Sequence, residues 1–252
     1  MTRAILSNLG RAALDAFLPR TCVLCGELIS SGPYRASSPD AEGGRGRPAC
    51  SASPLCRACA ESLVPISGPR CRCCGSPLIS ELATCMRCRG RDWAFDAAYP
   101  LFLYDGAFKR LLSAYKFGGR RSLAAFFAEL FAESLQDLWP GRPLVPVPPR
   151  PGKLAERGWD QVEEIARSLE RRGFDIVRIL ERRSPAQQKR LGRAARLENA
   201  RSAYNVRERA AVPPELVLID DVVTTCATAQ ACAAALRAAG ARSVSVLALA
   251  AD

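Results

Sequence analysis

Histidine is absent from this 252-residue chain. Its absence removes the Ser-His-Asp and Cys-His catalytic arrangements and every His-containing metal site. Lysine is scarce: of 36 basic residues, only Lys109, Lys116, Lys153 and Lys189 are not arginine. No apolar run approaches the ~20 residues that cross a bilayer, so no membrane insertion is expected. From Ala4 to Leu18 the apolar residues Leu6, Leu9, Ala13, Phe17 and Leu18 recur at helical spacing, with Asn8, Arg11 and Asp15 between them. That pattern reads as an amphipathic helix rather than a secretory leader, so a soluble, cytoplasmic protein is expected. Hydrophobic residues at 48% and charged residues at 24% exclude wholesale disorder. The length admits two domains of roughly 100–200 residues each.

What abounds is cysteine. There are twelve, ten of them between Cys22 and Cys88. Eight form four CxxC units: Cys22-Cys25, Cys56-Cys59, Cys71-Cys74 and Cys85-Cys88. Without a secretory leader, such a segment points to metal binding rather than disulfides. A CxxC turn presents two sulfurs on a knuckle, and two knuckles complete a tetrahedral Zn²⁺ site of structural character. Gly26 and Gly75 directly follow two of the pairs, where a knuckle often needs a left-handed residue. Sequential pairing is simplest and gives two Zn²⁺; a crossed arrangement or a single site remains open, as does a redox dithiol or iron–sulfur reading. Cys50 and Cys73 are left over as ordinary thiols.

The formal net charge is +11. Between Arg178 and Arg201, Arg182, Arg183, Lys189, Arg190, Arg193 and Arg196 add further positive charge against only Glu181 and Glu198. Such a concentration suits phosphate-bearing ligands, although a solvated face or an arginine-rich coding composition accounts for single members.

Along the chain, Ser30–Pro54 is rich in Gly, Pro and Ser and reads as a loop or insertion. Strands are expected at Ala98–Tyr104, Leu144–Val147, Phe174–Leu180, Glu215–Ile219 and Ser243–Ala250. Helices are expected at Ala107–Phe117, Ser122–Leu138, Glu156–Arg172 and Thr228–Ala239, and Arg182–Arg201 reads as a long basic loop. Alternating β and α elements with apolar strands predict an α/β fold, a parallel sheet with helices on both faces and its ligand at the carboxyl ends of the strands.

The most informative segment is Val217–Thr228. A buried strand ends in Asp220 and Asp221, and the hydroxyl-rich loop Thr224-Thr225-Cys226-Ala227-Thr228 opens into a helix. Loop N–H groups, hydroxyls and a helix N-terminus can encircle a phosphate, while the carboxylates accept hydrogen bonds from sugar hydroxyls. The plainer alternative is a strand with an Asp turn and a Thr cap.

This strand, acidic pair and threonine loop resemble the phosphoribosyl-pyrophosphate (PRPP) loop of type I phosphoribosyltransferases. The whole chain resembles the ComF family, competence-associated proteins that join a cysteine-rich zinc module to that fold. The likeness also rests on Tyr104, Lys116-Phe117-Gly118-Gly119, Pro146-Val147-Pro148 and Arg157-Gly158-Trp159-Asp160-Gln161. Further on it rests on Gln188, Leu191, Arg196, Asn199 and Tyr204. The resemblance implies three parts: an N-terminal helix (1–20), a double zinc-ribbon module (21–95, with a flexible insertion at 31–55) and a phosphoribosyltransferase-like domain (96–252). It puts Asp220 and Asp221 on the ribose hydroxyls, with Asp221 the nearest catalytic candidate, and Thr224 to Thr228 around the 5′-phosphate. Arg150, Lys153 and Arg157 would lie near the pyrophosphate, and Arg196 in a mobile loop closing over the site.

Two departures from the family pattern stand out. The family usually has glycine where this chain has Cys226, and a Cβ there costs about 1–2 kcal/mol if φ is positive. Asp160 replaces an asparagine, and its carboxylate is not expected to contact pyrophosphate. The resemblance thus implies a Mg²⁺-dependent phosphoribosyl (pentosyl) transferase linked to DNA uptake. The alternative is a non-catalytic module that binds single-stranded DNA, stacking bases on Tyr104, Phe117, Trp159 and Tyr204.

Overall fold

The computed structural model describes residues 20–29, 53–79, 82–149, 152, 154, 156, 158–182 and 203–252. The N-terminal helix, most of the 31–55 insertion, the loop after Arg182, and Arg150, Lys153, Arg157 and Arg196 lie outside the described residues.

Four parallel strands form the central sheet: β1 (Ala97–Leu103), β2 (Leu144–Pro146), β5 (Glu215–Val223) and β6 (Ser243–Ala251), in the order β1-β6-β5-β2. A separate antiparallel pair joins β3 (Leu180–Arg182) to β4 (Tyr204–Val206). The helices are α1 (Arg57–Glu61), α2 (Gly106–Lys116), α3 (Leu123–Leu138), α4 (Gln161–Glu170) and α5 (Ala227–Ala238). None among the described residues is long and apolar enough to cross a membrane.

Strand alternation splits the core in two. On β5, Val217 and Ile219 point to one face and Leu216 and Leu218 to the other. The first face is covered by α2, α3 and α4, with Phe102 stacked on Phe108 at 4.3 Å and Tyr115 edge-on to Phe127. The second is covered by α5, through Cys232, Ala233 and Leu236, and by the β3-β4 hairpin. Helices thus flank both faces, as the alternating apolar pattern requires.

The cysteine-rich segments share these cores. Cys22, Leu55 and Leu63 pack with the first face, and Cys71, Cys74 and Cys88 with the second. Gly75 shows how tightly: with φ at 71°, a Cβ there would sit 2.3 Å from the Ala98 carbonyl oxygen of β1. The amide of Ala98 also donates to the Cys73 carbonyl.

Several sequence expectations need correction. Pro54 accepts a backbone hydrogen bond from Val23 and Leu55 is buried, so the end of the predicted insertion is packed. The helix expected from Glu156 is interrupted: Gly152, Leu154 and Glu156 are helical, but Gly158 at φ 72° and extended Asp160 break the run before α4. Asp160 is the reason α4 starts where it does, since its side chain accepts the Glu163 N–H at 2.7 Å as an N-cap. The strand expected at Phe174–Leu180 reduces to a bridge between Ile176 and Leu144 plus the start of β3. β5 continues four residues past Ile219, so the acidic pair lies within the strand rather than after it.

Candidate functional site

The carboxyl ends of β2 and β5 and the C-terminus of α2 meet around a cleft of about 390 Å³. β5 brings Asp220 and Asp221 to it, α2 brings Lys116, and the start of α4 brings Asp160 and Gln161. Thr224 and Thr228 line its edge. Asp221 Oδ2 lies 2.7 Å from Lys116 Nζ, and both side chains are mostly buried, 19% and 14% exposed. Lys116 closes the last turn of α2, where a cation is also favoured by the helix dipole. Asp220 turns the other way, its Oδ1 accepting the Asp221 N–H at 2.8 Å. Burial, then the Asp221 carboxylate, push Asp220 up to about 8. A second cation, Arg182, is held over the Tyr204 ring and donates to its hydroxyl at 2.7 Å.

After β5, the loop turns through Cys226, which has φ 60° and ψ 7° and precedes α5. The residue therefore adopts the left-handed conformation that glycine favours. Its thiol is buried in the cluster that holds Cys71, Cys74 and Cys88, so only its backbone remains for a ligand in the loop. Comparing two truncations isolates the strain. Both Cys226→Ala and Cys226→Gly lose the buried sulfur, but only glycine relieves φ. Cys226→Gly is expected to be about 1 kcal/mol more stable than Cys226→Ala in denaturant melts, the reverse of the usual order.

Asp160 lines the cleft as well. Burial chiefly, with the carboxylates of Asp221 and Glu163, pushes it up to about 6, although the Glu163 N–H pulls the other way. A carboxyl raised in the folded state stabilises most below its unfolded pKa of about 3.9, and that stability is lost as pH rises through the folded value. Asp160→Asn keeps the cap and removes the charge. It is expected to add about 2 kcal/mol, or about 4–8 °C in Tm, at pH 8 and nothing near pH 4. An equal gain at both pH values would rule out charge as the cause.

The eight CxxC cysteines gather as Cys22, Cys25, Cys56 and Cys59, and as Cys71, Cys74, Cys85 and Cys88, each group with its sulfurs within 4.8 Å of one another. Pairing is thus sequential. The Cys25–Cys56 and Cys74–Cys85 sulfurs lie 3.6 and 3.7 Å apart. A tetrahedron of sulfurs about 2.3 Å from a zinc ion has an edge near 3.8 Å, so the geometry fits Zn²⁺. Burial raises the Cys71 and Cys22 thiols, but backbone N–H donors outweigh it and draw them down to about 6 and about 7, towards the thiolates a metal takes. Four thiolates would fill the coordination sphere, which suits a structural ion.

The second tetrad reaches the loop directly. Arg87, between Cys85 and Cys88, donates to the carbonyls of Thr224 at 3.4 Å and Asp252 at 3.2 Å. Lys116, Gln161 and Arg87 are the residues that sequence reasoning did not assign to the site. Lys116 and Gln161 stand in stretches that resemble the family, but nothing in the sequence shows that they meet Asp221 across a cleft.

No family model matches the chain. Two curated relatives are similar to it. Competence protein ComFC of Streptococcus pneumoniae (strain ATCC BAA-255 / R6) is 32% identical over 149 residues, 59% of this chain and 66% of the relative. Competence protein ComFC of Bacillus subtilis (strain 168) is 28% identical over 130 residues, 51% of this chain and 52% of the relative. The chain thus spans just under two thirds of the first and about half of the second. With two cysteine tetrads packed on a parallel sheet whose acidic strand precedes a threonine loop, the chain belongs to the ComF family.

Proposed function

We propose that this chain binds PRPP and serves DNA uptake in competence, as a phosphoribosyltransferase-like protein. The observation that carries the reading is the placement of Asp220, Asp221 and Lys116 around one cleft, with Thr224 and Thr228 at its edge and α5 beginning at Ala227. Asp220 and Asp221 accept the ribose hydroxyls. The loop from Thr224 to Thr228, through backbone N–H groups and the hydroxyls of Thr224, Thr225 and Thr228, holds the 5′-phosphate at the start of α5. Arg150, Lys153, Arg157 and Arg196 attend the pyrophosphate.

In transfer, a nucleophile attacks C1 of the ribose as the bond to pyrophosphate breaks and the electron pair leaves with it. The protein contributes positioning and electrostatics rather than a covalent intermediate. The cleft offers carboxylate oxygens, the donor class that Mg²⁺ takes, and Mg²⁺ arriving with PRPP would offset the charge of the departing pyrophosphate. Zn²⁺ belongs to the two tetrads, and its thiolates fit a reducing, cytoplasmic compartment. The division into a metal module (21–95) and a phosphoribosyltransferase-like domain (96–252) forms part of this proposal.

Calorimetric titration with PRPP and Mg²⁺ tests the reading. Heat is expected from the wild-type chain and not from Asp220→Asn/Asp221→Asn, and no heat from wild type sinks the reading.

One observation favours single-stranded DNA as a second ligand. Of the four aromatics named from the sequence, Tyr204 is buried and Trp159 packs on Tyr115, but Phe117 is 71% exposed at the cleft rim. An exposed ring beside a lysine suits base stacking. Affinity for a short DNA strand should then fall with salt in proportion to the phosphates contacted, and a flat, weak response excludes a dedicated site.

A further inference from the structure

Gln161 opens α4 and is only 8% exposed. Its backbone is satisfied, since the carbonyl accepts the Tyr115 hydroxyl at 2.7 Å. The carboxamide is different: Nε2 is buried with no hydrogen-bond partner, a state shared among the described side chains only by Trp93 Nε1. Trp93 packs in the second core cluster, away from the cleft lining, whereas Gln161 lines the cleft. Carboxylates abound nearby, those of Asp160, Asp220 and Asp221. The amide nitrogen hydrogen-bonds to none of them, although Gln161 shares the cleft lining with all three.

A buried donor left unmade is costly, and an apolar side chain of the same size would avoid that cost. Its retention beside two carboxylates makes a complementary set. Asp220 and Asp221 are acceptors for ligand hydroxyls, and Gln161 is a donor that requires a ligand acceptor. We propose that Gln161 contacts the ligand directly, its Nε2–H₂ donating to an oxygen acceptor of a phosphorylated sugar held on Asp220 and Asp221. The inference rests on the phosphoribosyl reading and adds to it a donor that the acidic pair and threonine loop do not supply.

The near-isosteric Gln161→Met variant tests it in two ways that move in opposite directions. In the ligand-free chain, removing an unsatisfied donor should leave the thermal midpoint unchanged or higher. In calorimetry with Mg²⁺, the Kd for PRPP should rise about tenfold or more, the size of one hydrogen bond to a charged acceptor. Ribose 5-phosphate and inorganic pyrophosphate, titrated separately, locate the oxygen by which of them loses affinity. A lower midpoint in the ligand-free variant would show that the amide has a protein partner and overturn the inference. Unchanged affinity for PRPP in a variant that binds as wild type would also overturn it while leaving the phosphoribosyl reading intact. A wild-type chain that binds none of the three probes removes both.

Discussion

Cys88→Ser is expected to release one of two zinc ions, lower the thermal midpoint steeply and weaken PRPP binding at least tenfold. Cys25→Ser should release the other zinc with much less effect on binding. The difference follows from where each tetrad packs. Cys22 shares its core with the α2, α3 and α4 face. The second tetrad abuts β1 through Gly75 and holds Arg87 on its last knuckle, where the guanidinium donates to Thr224 and Asp252 at the carboxyl ends of β5 and β6.

Few core-forming side chains lie between Cys85 and Cys88, so the ion supplies most of the knuckle's folding energy. Apparent zinc binding energies of roughly 10–16 kcal/mol in small zinc peptides show that this source outweighs local packing. With the ion gone, Arg87 leaves the Thr224 carbonyl, and the loop that would hold the 5′-phosphate loses a support. Metal content and PRPP calorimetry on both variants check this. Zinc loss from Cys88→Ser with wild-type affinity retained would refute the coupling.

The framework was legible because it repeats simple periods. β1, β6, α2, α3 and α5 fall within a residue or so of their sequence positions, each an apolar run or a 3.6-residue stripe bounded by Gly118-Gly119 or Gly240. The β3-β4 hairpin was not legible. Each strand contributes three residues, and Leu180 pairs with Val206 across a long separation that leaves no local pattern. The start of α4 could have been read from Asp160 three residues before Glu163, a capping signal that outweighs the helical tendency upstream.

The site divides in the same way. Asp220, Asp221 and the threonine loop are contiguous and stand out in the sequence. Lys116 lies far from Asp221 along the chain, and Gln161 stands in a stretch that resembles the family, but the burial that sets its amide apart is spelled out by no sequence. The strain at Cys226 was legible as a departure from glycine, whereas the direction of its thiol, into the cysteine cluster, required the packed fold.

Lys116→Met should destabilise the chain by about 2–3 kcal/mol, and so should Asp221→Asn, whereas the double variant should lose much less than the sum. Truncating one partner of a fully buried ion pair costs about 3–5 kcal/mol because the other charge stays behind, and the partial exposure of this pair lowers the figure. The loss in Lys116→Met is also pH-dependent with a definite sign. Asp220 is raised to about 8 by burial and by Asp221, and Lys116 is among the groups that hold it down. A raised carboxyl gives its full stability below its unfolded pKa of about 3.9 and loses it as pH rises through the folded value. Without the ammonium that loss deepens, so the gap between Lys116→Met and wild type should be widest above pH 8 and close on acidification. PRPP calorimetry separates the roles: with Asp221 in its proposed place on the ribose hydroxyls, Asp221→Asn should lose binding outright. Strictly additive single variants, or a pH-independent gap, would show that Lys116 and Asp221 sit side by side without coupling.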